Sequence, residues 1–390
     1  MKAAEKKSII SGNIRQNGMI LALVCITLFF GVVTKGVVFR PMNISNLFMQ
    51  NSYVIFLTIG MFFCILTGNV DLSVGSVVAV TGALLGWMTL EQGVPTTLAV
   101  IITVLFGIVV GLFQGSFIAF LNVPPFIVTL AGMLIFRGMT YVILEGQTLS
   151  PFSEGVRYFA SGFVFPDMRI GGYNIVCLIL IVLSAIALIV AERNKRRNNI
   201  KYGFDVSPIV VTILKLAAII GVISAITLSL SAYKGLPFIV LVLVVVILLY
   251  SFIADRMVIG RHIYAMGGNM NAARLSGVKT KWNMFVVYIN SAFMATISGL
   301  VVAGRLNAAT AKAGNGFELD AIAACYIGGC SASGGVGTII GAIVGALVMA
   351  ILNNGMSILG IGSDMQQVIK GFILLLAVTF DIYSKSKTAK

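Results

Sequence analysis

The sequence predicts an all-α, polytopic transmembrane protein with about 10–12 membrane segments, several of them broken by glycine. Two observations predict it. Of the 390 residues, 58% are apolar and only 10% are charged, and the mean hydropathy is +1.03. A soluble domain carries about 25% charged residues, so this chain cannot cover a water-facing surface. Apolar runs also recur along its length, and a spanning helix needs about 20 such residues.

The candidate spans, in chain order, are 18–34, 50–68, 72–90, 96–120, 125–145, 173–191, 209–231, 236–254, 284–304, 319–332, 336–353 and 366–382. Residues 18–390 are therefore expected to form one membrane domain. Residues 1–17 carry Lys2, Lys6, Lys7 and Arg15 and lead into further spans, without a cleavage pattern. They read as the cytosolic tail of a signal anchor.

Between the second and third spans lies GNVDLSVG (68–75), with Asp71 among apolar residues. A carboxylate at membrane depth is costly and points to function. Flanking glycines suggest a broken helix whose freed backbone lines a cavity. The competing reading makes Asp71 an N-cap at a membrane edge. Within 96–120, Gly107, Gly111 and Gly115 share one helix face, as do Gly337, Gly341 and Gly345 later. That spacing suits close helix packing or a pore-lining surface.

LNVPPFIVTLAG (121–132) ends one run and starts the next. The residue before a proline is pushed out of the helical region, and proline suits a first helical position. Asn122 and Pro124 thus belong either to a tight turn or to a turn on the translocation route. Arg137 either pairs with an acid or snorkels outward. The loop 146–172 is the longest connection poor in basic residues and is expected outside. The basic loop 192–208 holds Arg193, Lys195, Arg196, Arg197 and Lys201 and is expected in the cytosol, with Lys215 snorkelling to the same side.

The segment 255–283 carries five more cations: Arg256, Arg261, Arg274, Lys279 and Lys281. Three cations in the tail 383–390 complete the pattern, so both termini are expected in the cytosol. Within this segment, Asn269 can cap a helix and Gly277 can end it. Met270–Ser276 gives only two turns, and helices under about 12 residues are marginal in water. It is either a solvated loop with a helical look, or a helix ordered by a cytosolic partner. FELDAIAACYIGG (317–329) places Asp320 in the same position as Asp71: an acid among apolar residues.

The regions 67–86 and 327–347 are alike. In each, glycines seven apart (Gly68 and Gly75; Gly328 and Gly335) precede a Gly-xxx-Gly pair (Gly82 and Gly86; Gly341 and Gly345). Corresponding broken segments in two halves of a transporter point at its substrate path.

Several classes are excluded. The net charge of +14 lies between spans, where membrane orientation explains it, so no nucleic-acid partner is expected. Five scattered cysteines without a CxxC, and His262 alone, suggest no metal site, cofactor or disulfide framework. There is no P-loop and no nucleophile with a base, so the chain is not expected to be an enzyme.

Four stretches together resemble one family, the membrane permeases of bacterial ABC-type monosaccharide importers of the ribose, galactose and xylose kind. They are GNVDLSVGS (68–76), LNVPPFIVTLAGM (121–133), YAMGGNMNAARLSGV (264–278) and ELDAIAACYIGGCSASGGVGTIIGAIVGAL (318–347). The extra length over shorter members falls at about 192–235, which looks like the xylose or multiple-sugar branch. Cys330 stands where the family often has a small polar residue.

The resemblance implies an inner-membrane subunit paired with a second permease copy, a cytosolic ABC ATPase and an extracytoplasmic sugar-binding protein. It implies an ATPase-coupling segment built on Gly260, Arg261, Gly267, Gly268, Asn269, Ala272, Ala273, Arg274, Ser276 and Gly277. Asp71, Ser73, Asn122, Pro124, Asp320, Ser331 and Ser333 are the expected neighbours of the route. A related permease for nucleosides, autoinducers or branched-chain amino acids is the alternative within this mechanism. An ion-coupled secondary transporter is the alternative outside it.

Overall fold

The computed structural model describes residues 2–204, 206 and 208–388, with the side chains of 2–17, 380, 381 and 383–388 outside the description. The basic side chains of the N-terminal tail therefore lie outside the described residues.

The helices in chain order are α1 Lys2–Val33, α2 Pro41–Leu66, α3 Val74–Gly86, α4 Thr96–Ala119, α5 Pro125–Leu144 and α6 Glu154–Ser161. A two-stranded hairpin follows, β1 Arg169–Ile170 and β2 Tyr173–Asn174. Then come α7 Ile175–Lys201, α8 Ile209–Ala232, α9 Phe238–Arg256, α10 Val258–Gly268 and α11 Met270–Leu275. The last are α12 Thr280–Leu306, α13 Phe317–Ile327, α14 Ile339–Ile358 and α15 Ser363–Thr388. Among the described residues, nine helical segments are long and apolar enough to cross a membrane, and Gly18–Val33 is a shorter apolar one.

The core is a bundle around α2, of whose most apolar 18-residue window 89% is buried. It runs beside α12, where Gly60 faces Met294 and Ser291, and Ser298 donates to the Tyr53 carbonyl at 3.1 Å. The glycine row of α4 seats on the same α12: Gly107 meets Thr296, Gly111 meets Ile289 and Ala292, and Gly115 meets Phe285. This is the close packing that the spacing predicts. The second glycine row differs. Gly337 sits in the chain before α14, so only Gly341 and Gly345 share a helix, which they pack against Gly328 and Ala324.

Three expected spans shift. Proline at its first position starts α2 at Pro41, well before residue 50, and Asn43 and Asn354 exchange side-chain hydrogen bonds beside that start. The segment 319–332 is no span. Its helix α13 has 11 residues, about 16 Å long, or half of a hydrocarbon core of about 30 Å. Glycine at 328 and 329 ends it, and the chain runs irregularly to Thr338, whose hydroxyl caps α14 at Gly341. The expected span 336–353 becomes Ile339–Ile358, and the last one, 366–382, lies within Ser363–Thr388.

At the end of the bundle that carries 146–172, loops interlock. Leu149 pairs with Ala309, Phe163 pairs with Pro237, and the Arg169 guanidinium donates to the Tyr233 carbonyl. The opposite end carries α10 and α11.

Candidate translocation core and coupling loop

Two similar linkers meet inside the bundle. Linker 67–73 joins α2 to α3, and linker 328–338 joins α13 to α14. The Gly335 amide donates to the Leu66 carbonyl at 2.9 Å, and Gly68 lies within 3.6 Å of the Ser333 carbonyl, measured from where a Cβ would stand. The two regions that look alike in sequence thus occupy equivalent positions, helix then irregular linker then helix, and touch each other.

Asp71 anchors the first linker. It is fully buried, and its carboxylate accepts from the Ser73 amide at 2.9 Å and from the hydroxyls of Ser73 and Ser291, both at 2.7 Å. The amide it binds lies two residues on, so Asp71 closes a tight turn and does not cap α3. Ser291 belongs to α12, so the bond ties the linker to the bundle core. Ser73 is buried too, with its hydroxyl 3.2 Å from Gln114 on α4. Neither side chain has surface for a substrate in this conformation.

Asp320 does different work. Also fully buried, it sits 2.9 Å from the Lys370 ammonium of α15 and accepts from Tyr53 at 3.2 Å and Asn353 at 3.4 Å. It joins α2, α13, α14 and α15 instead of facing a path. Arg137 donates to the carbonyls of Ala311 and Ala313 at 2.9 and 2.7 Å, supporting the loop before α13, and the Glu318 carboxylate at the start of α13 is its charged neighbour. Asn122 and Pro124 lie exposed in the turn between α4 and α5, apart from these clusters. In linker 328–338, Ser331 is buried and Ser333 is exposed, their hydroxyls 2.9 Å apart.

Beneath the linkers lies the expected coupling segment. Val258–Gly268 forms a helix that the sequence reading does not resolve from its neighbour. Gly260 faces the carbonyl of Ala254, leaving no room for a side chain, and Arg261 donates to the Arg256 carbonyl at 3.0 Å. Gly267 is the point of contact: a Cβ there would collide with the Leu66 carbonyl and the Gly335 amide together. Tyr264 donates to the Gly337 carbonyl at 2.8 Å, and burial pushes its hydroxyl up to about 12, keeping it a donor.

The short helix follows. Asn269 accepts from the Ala272 amide at 3.0 Å, and Gly277, at φ +84°, turns the chain out of it. Only Ala273 is buried; Gly268, Ala272, Arg274 and Ser276 are exposed, and Leu275 is 86% exposed.

Sequence reasoning misses Ser291, Gln114, Tyr264 and Lys370. Lys370 had a signal: it is the lone cation within the apolar run 366–380, as Asp320 is a lone acid within 319–332. The others look like ordinary polar positions in a helix.

Residues 43–378 match the family model described as branched-chain amino acid transport system / permease component. The xylose transport system permease protein of Haemophilus influenzae is 37% identical over 97% of this chain and 98% of its own length. That of Escherichia coli K12 is 39% identical over 95% and 92%. The galactose/methyl galactoside import permease of the same organism is 29% identical over 98% of each. No solved structure matches the chain.

Proposed function

We propose what this chain does from one premise: it belongs to the family of branched-chain amino acid transport system permease components. It is the membrane subunit of an ATP-binding-cassette importer, and it forms the passage for a monosaccharide. Xylose is the favoured sugar, because the relatives named for xylose are 37% and 39% identical and the one named for galactose is 29% identical. It is not an enzyme; a separate cytosolic ATPase hydrolyses ATP. An extracytoplasmic binding protein delivers the sugar to the end that carries 146–172, and a second permease copy completes the passage. Both termini, the basic loop 192–208 and the segment 255–283 face the cytosol of a bacterial inner membrane.

One observation carries this reading. The helix pair α10–α11 rests on both broken-helix linkers through Gly267 and Tyr264, while its tip offers Leu275 to solvent. A two-turn helix with one buried residue does not order itself in water. A partner's groove supplies what is missing, and a push on α11 passes through α10 to Leu66, Gly335 and Gly337 together. The linkers then move α3 and α14 against α2 and α12, which opens and closes the passage.

The test is reconstitution in proteoliposomes with the ATPase and binding protein. Uptake is expected to need ATP. Leu275→Asp, Arg274→Glu and Gly277→Pro are each expected to cut uptake and ATPase co-purification at least tenfold, since one buried anchor at a docking site is worth about 2 kcal/mol or more. Uptake driven by an ion gradient, by the chain alone, overturns the reading.

A further inference from the structure

The family reading leaves the hairpin α7–α8 without a task. It stands at the edge of the bundle: 6% of the most apolar window of α7 is buried, and none of that of α8. The helix α7 has 27 residues, about 40 Å, and continues unbroken through its basic end. The register of the pair is fixed where the Arg196 guanidinium meets the Thr212 hydroxyl at 3.4 Å.

That register sets up an unusual coincidence. Arg193, Lys195, Arg197 and Lys201 are exposed on α7, with Glu192 the one acid in 192–204. At the same height α8 exposes Ile209, Val210, Ile213 and Leu214, each by 58% or more. Cations at the end of a membrane span stand at the level of the lipid headgroups. Here they flank apolar surface, which continues down α8 to Val222, 61% exposed, in the part that spans the bilayer. A ligand that fits must carry a negative group beside hydrocarbon, and must be continuous with the lipid around α8.

We propose that the basic end of α7 and the aliphatic start of α8 together hold an anionic phospholipid, its phosphate against the i, i+4, i+8 row Arg193, Arg197 and Lys201, with Lys195 adding attraction from the other face, and its acyl chains along Val210 and Leu214. Each cation near a membrane surface adds about 1 kcal/mol of attraction to anionic lipid, so roughly fivefold in binding is expected per cation removed. The inference rests on membrane insertion and on the hairpin alone, and stands whatever the transported molecule is.

The experiment compares retention of phosphatidylglycerol and phosphatidylcholine with identical acyl chains on the full-length purified protein, by native mass spectrometry. Wild type is expected to retain phosphatidylglycerol preferentially. R193Q/K195Q/R197Q/K201Q, which spares Arg196, is expected to lose that preference while its elution and melting stay unchanged. Should the fourfold variant not fold, R193Q/K195Q and R197Q/K201Q are each expected to show an intermediate loss, and unchanged retention in both overturns the proposal. Equal retention of the two lipids by wild type overturns it as well. So does displacement by millimolar inorganic phosphate, which would make the site one for soluble anions. If the fourfold variant keeps its lipid but loses the ATPase, the face is a protein-docking surface and the proposal fails.

Discussion

The helices α2 and α8 are both apolar enough to cross a bilayer, yet 89% of the apolar window of one is buried and none of the other. The buried helix is the less apolar of the two. It carries Asn43, Ser45, Asn46, Gln50, Asn51, Ser52 and Thr58, while the polar residues of α8 between Ile209 and Leu230 are Lys215 and the small hydroxyls Thr212, Ser224, Thr227 and Ser229. In water the order would be reversed. Lipid is as apolar as leucine, so greasiness marks what faces the bilayer, and small or polar side chains mark what faces other helices. The buried acid and its partners follow the same division. Asp71, Ser73, Ser291 and Gln114 all lie in the packed region, and the periphery has length and charge only.

The contrast can be broken most severely at Gly267. Gly267→Val would force apart the Leu66 carbonyl and the Gly335 amide. Uptake is expected to fall below detection in ATP-driven transport assays, with the protein still inserted. A hairpin variant with that effect would erase the distinction.

The next largest effect is at the buried ion pair. Lys370→Met leaves Asp320 without its cation in a fully buried setting, which is expected to lower stability by about 3–5 kcal/mol. Thermal unfolding in detergent measures it, and the double variant Asp320→Asn with Lys370→Met is expected to regain most of the loss. Equal melting of single and double variants would mean that the pair does not bind α13 to α15.

The smallest effect is the sharpest comparison. Gly111→Val presses on the backbone of Ile289 and is expected to cost about 1–3 kcal/mol. Gly221→Leu on α8 meets nothing within 4 Å and is expected to change stability by no more than about 0.5 kcal/mol. Similar shifts from both would deny that α8 borders lipid.

Much of this was legible in the residues. The all-α spans, the capped helix at Asn269 and the α4 glycine seam follow from local rules of length, capping and spacing. The likeness of 67–86 to 327–347 was visible as a repeat of glycine spacing, but not that the two linkers touch through Leu66 and Gly335. What hydropathy could not show is where an apolar run stops being a helix. Residues 319–332 read as a span because alanine, isoleucine and cysteine are apolar whether or not the backbone is helical there. Arg137 found carbonyl partners far along the chain, which no local pattern announces. Asp71 and Asp320 looked alike because sequence reports a buried acid but not its partners: two hydroxyls in one case, an ammonium in the other.

The hairpin has one more consequence, which arises from where it begins and ends. The Asn174 amide donates to the Ser231 hydroxyl at 2.6 Å, so the chain leaves the bundle and returns to it at a single spot. Residues 175–232 therefore begin and end side by side, rooted in the bundle by Cys177 and Leu230 against Ile44 and Phe48, and a short bridge from Asn174 to Tyr233 would span their two ends. Excising these residues removes two crossings, an even number, so every later segment keeps its side of the membrane. An insertion or deletion there leaves the order and sidedness of the packed helices as they are.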